Sequence, residues 1–432
     1  MSKYYDPTIT RRAVMKLGLT SAALATVPLL GQRRAWADPN NPHLFVIFHS
    51  DGGWDPTQVL DPHDPLDQTD GVDVDVPQAI STLPPSQIVT TGNLTYVSNP
   101  TTRPNVDAFF TAWGSRTAIV NGIGTRSTSH DQSSQLVHTG YLDPTRGSFA
   151  VMAADHLGRD LPLPHLLLSG PSFGGQFAGL SGRVGSGALS QSMTYNQMAS
   201  RQQAVSALGE GYVQQALTRL NGLEAAQAEH AISGRLGQFT DAQSRADRLA
   251  RFAQSLPSSN NGAMAFAVSL GNAFRQGLTT SVTVAAGGGF DTHNDNTQQN
   301  TAYERVFGFL KTFVDGLAAQ PGLLAPSLLD ETTIVHVSDF GRTPQLNGDN
   351  GKDHHPWTSV LLVGKRVRPG TFGLTDRDQE GIAVNFDTGQ PDANGTVLDV
   401  TNLVAGMMTL VGANPGTYLP GGLRPFTAMV NA

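Results

Sequence analysis

Thr333-Ile334-Val335-His336-Val337-Ser338-Asp339-Phe340-Gly341-Arg342-Thr343 is an apolar, β-branched run that breaks abruptly into aspartate, glycine and arginine. It reads as a buried strand with polar residues gathered at its C-terminal end. Asp353-His354-His355 follow shortly after. Three other runs end in the same way. His43 to Phe48 leads into Ser50-Asp51-Gly52-Gly53-Trp54-Asp55, and Thr117 to Val120 leads through Gly122-Ile123-Gly124 to Ser129-His130-Asp131. Ser281 to Ala286 leads into Gly287-Gly288-Gly289-Phe290-Asp291-Thr292-His293. Open α/β sheets collect their ligand sites at the C-terminal ends of strands. Four such ends tipped with Asp or His predict an α/β fold, a doubly wound and mostly parallel sheet, with a metal site along that edge.

The spacing between these runs supports the same class. An amphipathic helix is predicted over Tyr303, Val306, Phe307, Leu310, Phe313, Val314 and Leu317, at three and four residue steps. Helices are also expected near Gly262 to Phe274 and Thr401 to Leu410, and strands at His165 to Leu168 and Ser359 to Val363. Strands alternating with helices favour a parallel sheet. Residues 56–105, rich in Pro, Asp and Thr, read as a surface excursion over the first strand end. Residues 188–256 change to Ala, Gln, Leu and Arg without proline before 256, and read as an inserted helical hairpin. It serves as a cap, as a surface for a protein partner, or simply as packing on the flank.

Composition narrows the partners. The 432 residues are 39% hydrophobic and only 15% charged, enough for a sizeable core. Cysteine is absent, which excludes disulfides and thiolate metal sites. Thr10-Arg11-Arg12-Ala13-Val14-Met15-Lys16 has the twin-arginine pattern. Leu17 to Leu30 is a modest apolar stretch, too short for a stable membrane span, and Ala35-Trp36-Ala37 offers a small-residue cleavage site. Residues 1–37 are therefore expected to be a signal peptide, leaving 38–432 as an exported, periplasmic or extracellular domain. The mature chain carries 22 basic and 34 acidic residues, a net charge of −12. That charge argues against nucleic acid and anionic lipid as partners.

Asp51 is followed by Gly52-Gly53, which lets the backbone approach a ligand closely. A short carboxylate at such a point suits a hard divalent cation. Standing alone, it would read as a turn aspartate bonding its own backbone. Ser129-x-x-Gln132 has capping-box spacing, so Ser129 is expected to cap a helix carrying Leu136 and Val137. His130 then lies in the first turn, either facing an oxyanion or as a surface residue at a helix start. Asp291 and His293 are alternate residues of an extended segment and can share one metal. Asp339 has the same strand-end placement, and Arg342 nearby can clamp an anionic group. One of His354 and His355 completes the metal set, oriented from behind by Asp353.

Phe290-Asp291-Thr292-His293, Asp339-Phe340-Gly341-Arg342-Thr343-Pro344, Asn347 and Asp353-His354 resemble the domain-of-unknown-function family numbered 1501. So do Gly364 to Gly373, Thr375-Asp376 and the twin-arginine start, and the resemblance runs from about Leu44 to the C-terminus. It implies an exported bacterial protein with the alkaline phosphatase and sulfatase fold. Laid on that superfamily, Asp51 matches the first metal aspartate, and Asp291 and His293 match the ligands of one metal. Asp339 matches the aspartate of the Ser-Asp-His-Gly segment, and His354 or His355 the last histidine ligand. Thr139-Gly140 resembles the pair that closes the nucleophile helix, which places His130 at the nucleophile position. Two departures stand out. Phe340 replaces a histidine ligand, and His130 has no hydroxyl.

The expected protein is a metal-dependent hydrolase of that superfamily, acting on a phosphate or sulfate ester of a small molecule or glycan. Asp51, Asp291, His293, Asp339 and His354 or His355 would hold one or two cations: zinc, manganese, magnesium or calcium. His130 would be nucleophile, general base or extra ligand, and Arg342 would bind the anion. The alternative is a non-catalytic periplasmic or surface module of the same fold that binds a protein or glycan partner; Phe340 and His130 favour it. A metal-dependent peptidase or amidase is a third reading, weakened by the missing His-Glu-x-x-His motif.

Overall fold

A computed structural model describes residues 41–63, 87–183 and 262–431. The expected signal peptide and helical insertion lie outside these residues.

Strand β1 (Leu44–Ser50) is buried along its whole length, as a strand covered on both faces must be. A hairpin follows, β2 (Gln87–Thr91) and β3 (Leu94–Ser98), then α1 (Pro104–Trp113) and β4 (Thr117–Gly124). Next come α2 (His130–Thr139), α3 (Phe149–Gly158), β5 (His165–Leu167) and β6 (Ser181–Arg183). The chain resumes with α4 (Ala263–Arg275), β7 (Ser281–Ala285), α5 (Gln298–Ala318) and β8 (Thr332–Ser338). Short strands β9 (Gly341–Arg342) and β10 (His354–His355) lead to β11 (Trp357–Gly364), β12 (Gly370–Phe372), β13 (Ala383–Val384), β14 (Thr396–Val397) and α6 (Val400–Leu410).

Eight strands form one sheet in the order β12-β4-β11-β8-β1-β7-β5-β6. Within it β11 runs antiparallel to β4 and β8, and the other neighbours are parallel. The register sets Ser50 opposite Ser338 and His49 opposite both Val337 and Ala285. The C-terminal ends of β1, β7, β8 and β4 therefore share one edge, and the predicted α/β class is the observed one.

Alternate residues of β1 serve the two faces. Phe45 and Ile47 join a core built with α2, α3 and α6, including Val137, Phe149, Met152 and Val404. Phe48 points the other way, edge-on to Phe313 of α5 at 5.1 Å. Each such buried side chain contributes roughly 1.5–3 kcal/mol. All seven apolar residues predicted to line the long helix are buried in α5. Among the described residues no helix is long and apolar enough to cross a membrane.

Two local expectations change. Residues 87–98 form a paired hairpin rather than an irregular excursion, with Leu94, Tyr96 and Val97 buried. The strand expected to end at Val120 continues to Gly124. Gly122 sits at φ 68 within it, and a Cβ there would stand 2.6 Å from the Leu374 carbonyl oxygen. The pairing with β11 shifts between Thr358 and Val360, so the glycine makes a bulge, not a stop.

Candidate metal centre

The loop after β1 is shaped by close approach. Gly52 has φ 107, and a Cβ on it would lie 2.5 Å from the Asp291 backbone nitrogen. Gly53 lies so close to the Phe340 ring that no side chain fits between them. Arg342 ties this loop down. Its Nε donates to the Gly53 carbonyl at 2.9 Å and its Nη1 to the Lys352 carbonyl at 2.9 Å. Its Nη2 donates to the Gly52 carbonyl, and to Asp291 Oδ1 at 2.8 Å. The side chain is fully buried. This corrects the expectation that Arg342 clamps an outside anion: its guanidinium is committed to the protein's own oxygens.

One group of ligand atoms forms at the end of β1 and β8. His49 Nε2 stands 2.8 Å from Asp51 Oδ1 and 3.0 Å from Asp339 Oδ1. His49 Nε2 and Asp339 Oδ1 are buried, yet neither has a hydrogen bond of good geometry. The three atoms lie close enough together to share one ion. Burial alone would depress the His49 pKa, but Asp339 and Asp51 outweigh it and push it up to about 9. Behind it, His138 Nε2 lies 3.2 Å from His49 Nδ1, and burial holds His138 well below the ordinary histidine range. Asp339 serves on both sides, because its Oδ2 accepts from the Gly52 amide at 3.1 Å and meets His130 Nδ1 at 2.8 Å. Burial works against its charge, but His49 first of all, then His130 and the Gly52 amide, hold its carboxyl below the usual carboxylate range.

A second group forms around Asp291. His130 Nδ1 faces Asp339, His293 Nδ1 faces Asp353 Oδ1 at 3.0 Å, and His354 Nδ1 faces the Thr128 carbonyl at 2.7 Å. Carboxylate and carbonyl oxygens only accept, so each Nδ1 is assigned a proton and Nε2 is the nitrogen left to face a ligand. All three Nε2 atoms turn toward the Asp291 carboxylate, at 3.8 Å for His130, 3.2 Å for His293 and 3.7 Å for His354. Imidazole nitrogens backed by acceptors, with a carboxylate held by Arg342, form a donor set suited to a divalent cation. His130, Asp291 and His354 have ligand atoms close enough to hold one ion, as have His49, Asp51 and Asp339. Asp291 remains half exposed, so this group opens to solvent.

Phe340 is fully buried and packs against both His130 and His354, its ring centroid 4.7 Å and 4.2 Å from theirs, while the two imidazoles meet each other edge-on at 4.7 Å. His355 is not brought to either group. Neighbouring strand residues point oppositely, and its ring faces the Asp378 and Gln379 backbone. Ser129 occupies the N-cap of α2, but its side chain makes no capping bond. Ser127 Oγ instead accepts from the Ser129 amide at 3.1 Å, which corrects the capping-box expectation.

The sequence reading missed His49 and His138. His49-x-Asp51 repeats the alternation that singled out Asp291-x-His293, so a signal was present. The buried run preceding it masked it.

The fold and the edge residues define an α/β protein with two candidate ligand clusters at the strand ends. Residues 273–423 match the family described as protein of unknown function (DUF1501), in agreement with the motifs. That span contains Asp291, His293, Asp339 and His354. Comparison with curated proteins gives no match. Among solved structures, Ps i-CgsB in complex with k-i-k-neocarrahexaose is similar with TM-score 0.35 and 12% identity, over 87% of this chain and 72% of that one. A protein in the alkaline phosphatase superfamily from Vibrio parahaemolyticus is similar with TM-score 0.35 and 11% identity, over 93% of this chain and 75% of that one.

Proposed function

We propose that this protein is an exported metal-dependent hydrolase that acts on phosphate or sulfate esters, those on glycans included. The carrying observation is the convergence of three Nε2 nitrogens on one carboxylate. His49, Asp51 and Asp339 would hold one divalent cation, and Asp291, His293 and His354 a second. Bound there, the cations would polarise an ester oxygen and acidify a water.

The chain's own residues do the rest. Asp339 fixes the His130 ring through Nδ1, the relation by which a carboxylate orients a general base. His130 Nε2 then accepts the proton of the attacking water. Arg342 positions Asp291 and the Gly52-Gly53 backbone. Phe340 shields one side of the His130 and His354 rings from water.

The test is metal content by elemental mass spectrometry on protein purified without chelators, beside the Asp291→Ala/Asp339→Ala double variant. The expected result is two equivalents of zinc, manganese, magnesium or calcium, lost in the variant, and turnover of a phosphate or sulfate ester with that metal. Absence of metal from the parent protein after supplementation overturns the proposal.

A second reading is a non-catalytic, metal-containing binding module. The full commitment of Arg342 to protein oxygens favours it, because that cation is not available to an ester anion. Stoichiometric metal with retained glycan or protein binding, and no turnover of any ester, would decide for it.

A further inference from the structure

We propose that His138 is the positioning residue of the first cation site: by accepting the Nδ1 proton of His49, it leaves the His49 Nε2 lone pair aimed between Asp51 and Asp339. This rests on reading that group as a cation site.

His49 Nδ1 and His138 Nε2 lie 3.2 Å apart, with ring centroids 5.2 Å apart and tilted by 43°. Both residues are buried, at 0% and 1% exposure, so water does not compete for this contact. One proton lies between two nitrogens. If His49 supplies it, His49 Nε2 is a bare lone pair. If His138 supplies it, His49 Nε2 carries a hydrogen that blocks metal. A cation seated between Asp51 and Asp339 needs Nε2 as a lone pair, which leaves the one ring proton of neutral His49 on Nδ1, facing His138.

His138 is itself held in place. Its ring stacks on Phe149 with centroids 5.7 Å apart and 7° between planes, and Phe173 flanks it at 5.9 Å. It stands in the last turn of α2, whose first turn carries His130. One helix thus addresses both ends of a chain running His138–His49–Asp339–His130. The other cation ligands have acceptors behind them from Asp353 and Thr128, and His138 plays that part for His49. Loss of such a partner typically costs 10–100-fold in metal affinity.

The experiment is titration of chelator-stripped protein with zinc alone, followed by calorimetry and elemental analysis. Compared are the parent chain, His138→Phe, which fills the space without an acceptor, and His138→Gln, whose amide oxygen can accept. The expected result is two equivalents in the parent chain. His138→Phe should keep one at unchanged affinity and bind the other about 10–100-fold more weakly, with recovery in His138→Gln. The retained equivalent shows that the variant is folded. Two equivalents at parental affinity in His138→Phe would overturn the positioning role and leave the metal reading intact. No zinc in the parent chain would overturn both.

Discussion

His293 and His354 face each other through Nε2 at 2.9 Å. With both Nδ1 protons assigned to oxygens behind the rings, two lone pairs point at each other, and that approach is repulsive without a shared cation or an added proton. His354→Ala should therefore lose one equivalent of bound metal. His355→Ala should lose none, because its ring turns to the Asp378 and Gln379 backbone. Elemental analysis of the two variants checks the pair. Equal loss in both would show that the β10 alternation has been misassigned to function.

His130 meets Asp339 through Nδ1, the only one of the three imidazoles whose Nδ1 faces a carboxylate of the other cation group. A base at this position should be separable from the ligands. His130→Gln is expected to retain both metal equivalents and to reduce turnover of the ester by about 10²–10⁴-fold. A loss of metal in parallel with activity would instead make His130 a ligand.

The Gly52 backbone and Asp291 are in contact because position 52 has no Cβ. Gly52→Ala combines a positive φ with a backbone clash, and an expected cost of about 2–4 kcal/mol follows from strain of that kind. Arg342→Met should cost a similar ~3 kcal/mol, since it strands buried carbonyl oxygens. Urea unfolding measures both. A midpoint unchanged in either variant would contradict the tight loop.

Export through the twin-arginine route is a proposal from Arg11-Arg12. The double substitution Arg11→Lys/Arg12→Lys should leave the precursor in the cytoplasm of a bacterial host, and fractionation followed by immunoblotting reads the outcome. Normal export of that variant would refute the assignment.

The sheet was legible because strands buried on both faces read as continuous apolar runs, and four of them carried their polar residues at one end. The placement of Asp51, Asp291, His293 and Asp339 along one edge was legible for the same reason, since each lies close after the end of such a run, and His354 stood out only through the Asp353-His354-His355 stretch. The role of Arg342 was not. Whether a guanidinium meets a ligand or the chain's own carbonyls depends on the path of residues 52–53, far away in sequence. His49 was hidden because a histidine inside an apolar run looks like core, and His138 because a single histidine near a helix end carries no pattern. The bulge at Gly122 was read as an end because glycine signals both, and only the β11 register separates them.

Buried histidines give the stability a characteristic pH dependence. His336 and His165 are each lowered to about 3, by burial first of all. Each is bonded while neutral, His336 to Ser50 Oγ at 2.8 Å and His165 to Ser281 Oγ at 3.1 Å. An unfolded chain binds a proton on each near pH 6.5, and the folded chain does not until about pH 3. Their contribution is therefore complete above pH 6.5 and is lost as pH falls toward 3, at ~1.4 kcal/mol per pH unit for each ring. His49, raised to about 9, does not offset this, because it is protonated in both states throughout that window. Its own contribution is complete below 6.5 and lost as pH rises through 9. Chelated protein should thus lose thermal stability steadily from pH 6.5 to 4, before most carboxylates titrate. His336→Gln, which keeps a partner for Ser50, should flatten the slope by about one proton's worth. Calorimetric Tm values at half-unit intervals give the answer, and identical slopes in the two chains would remove His336 from the linkage.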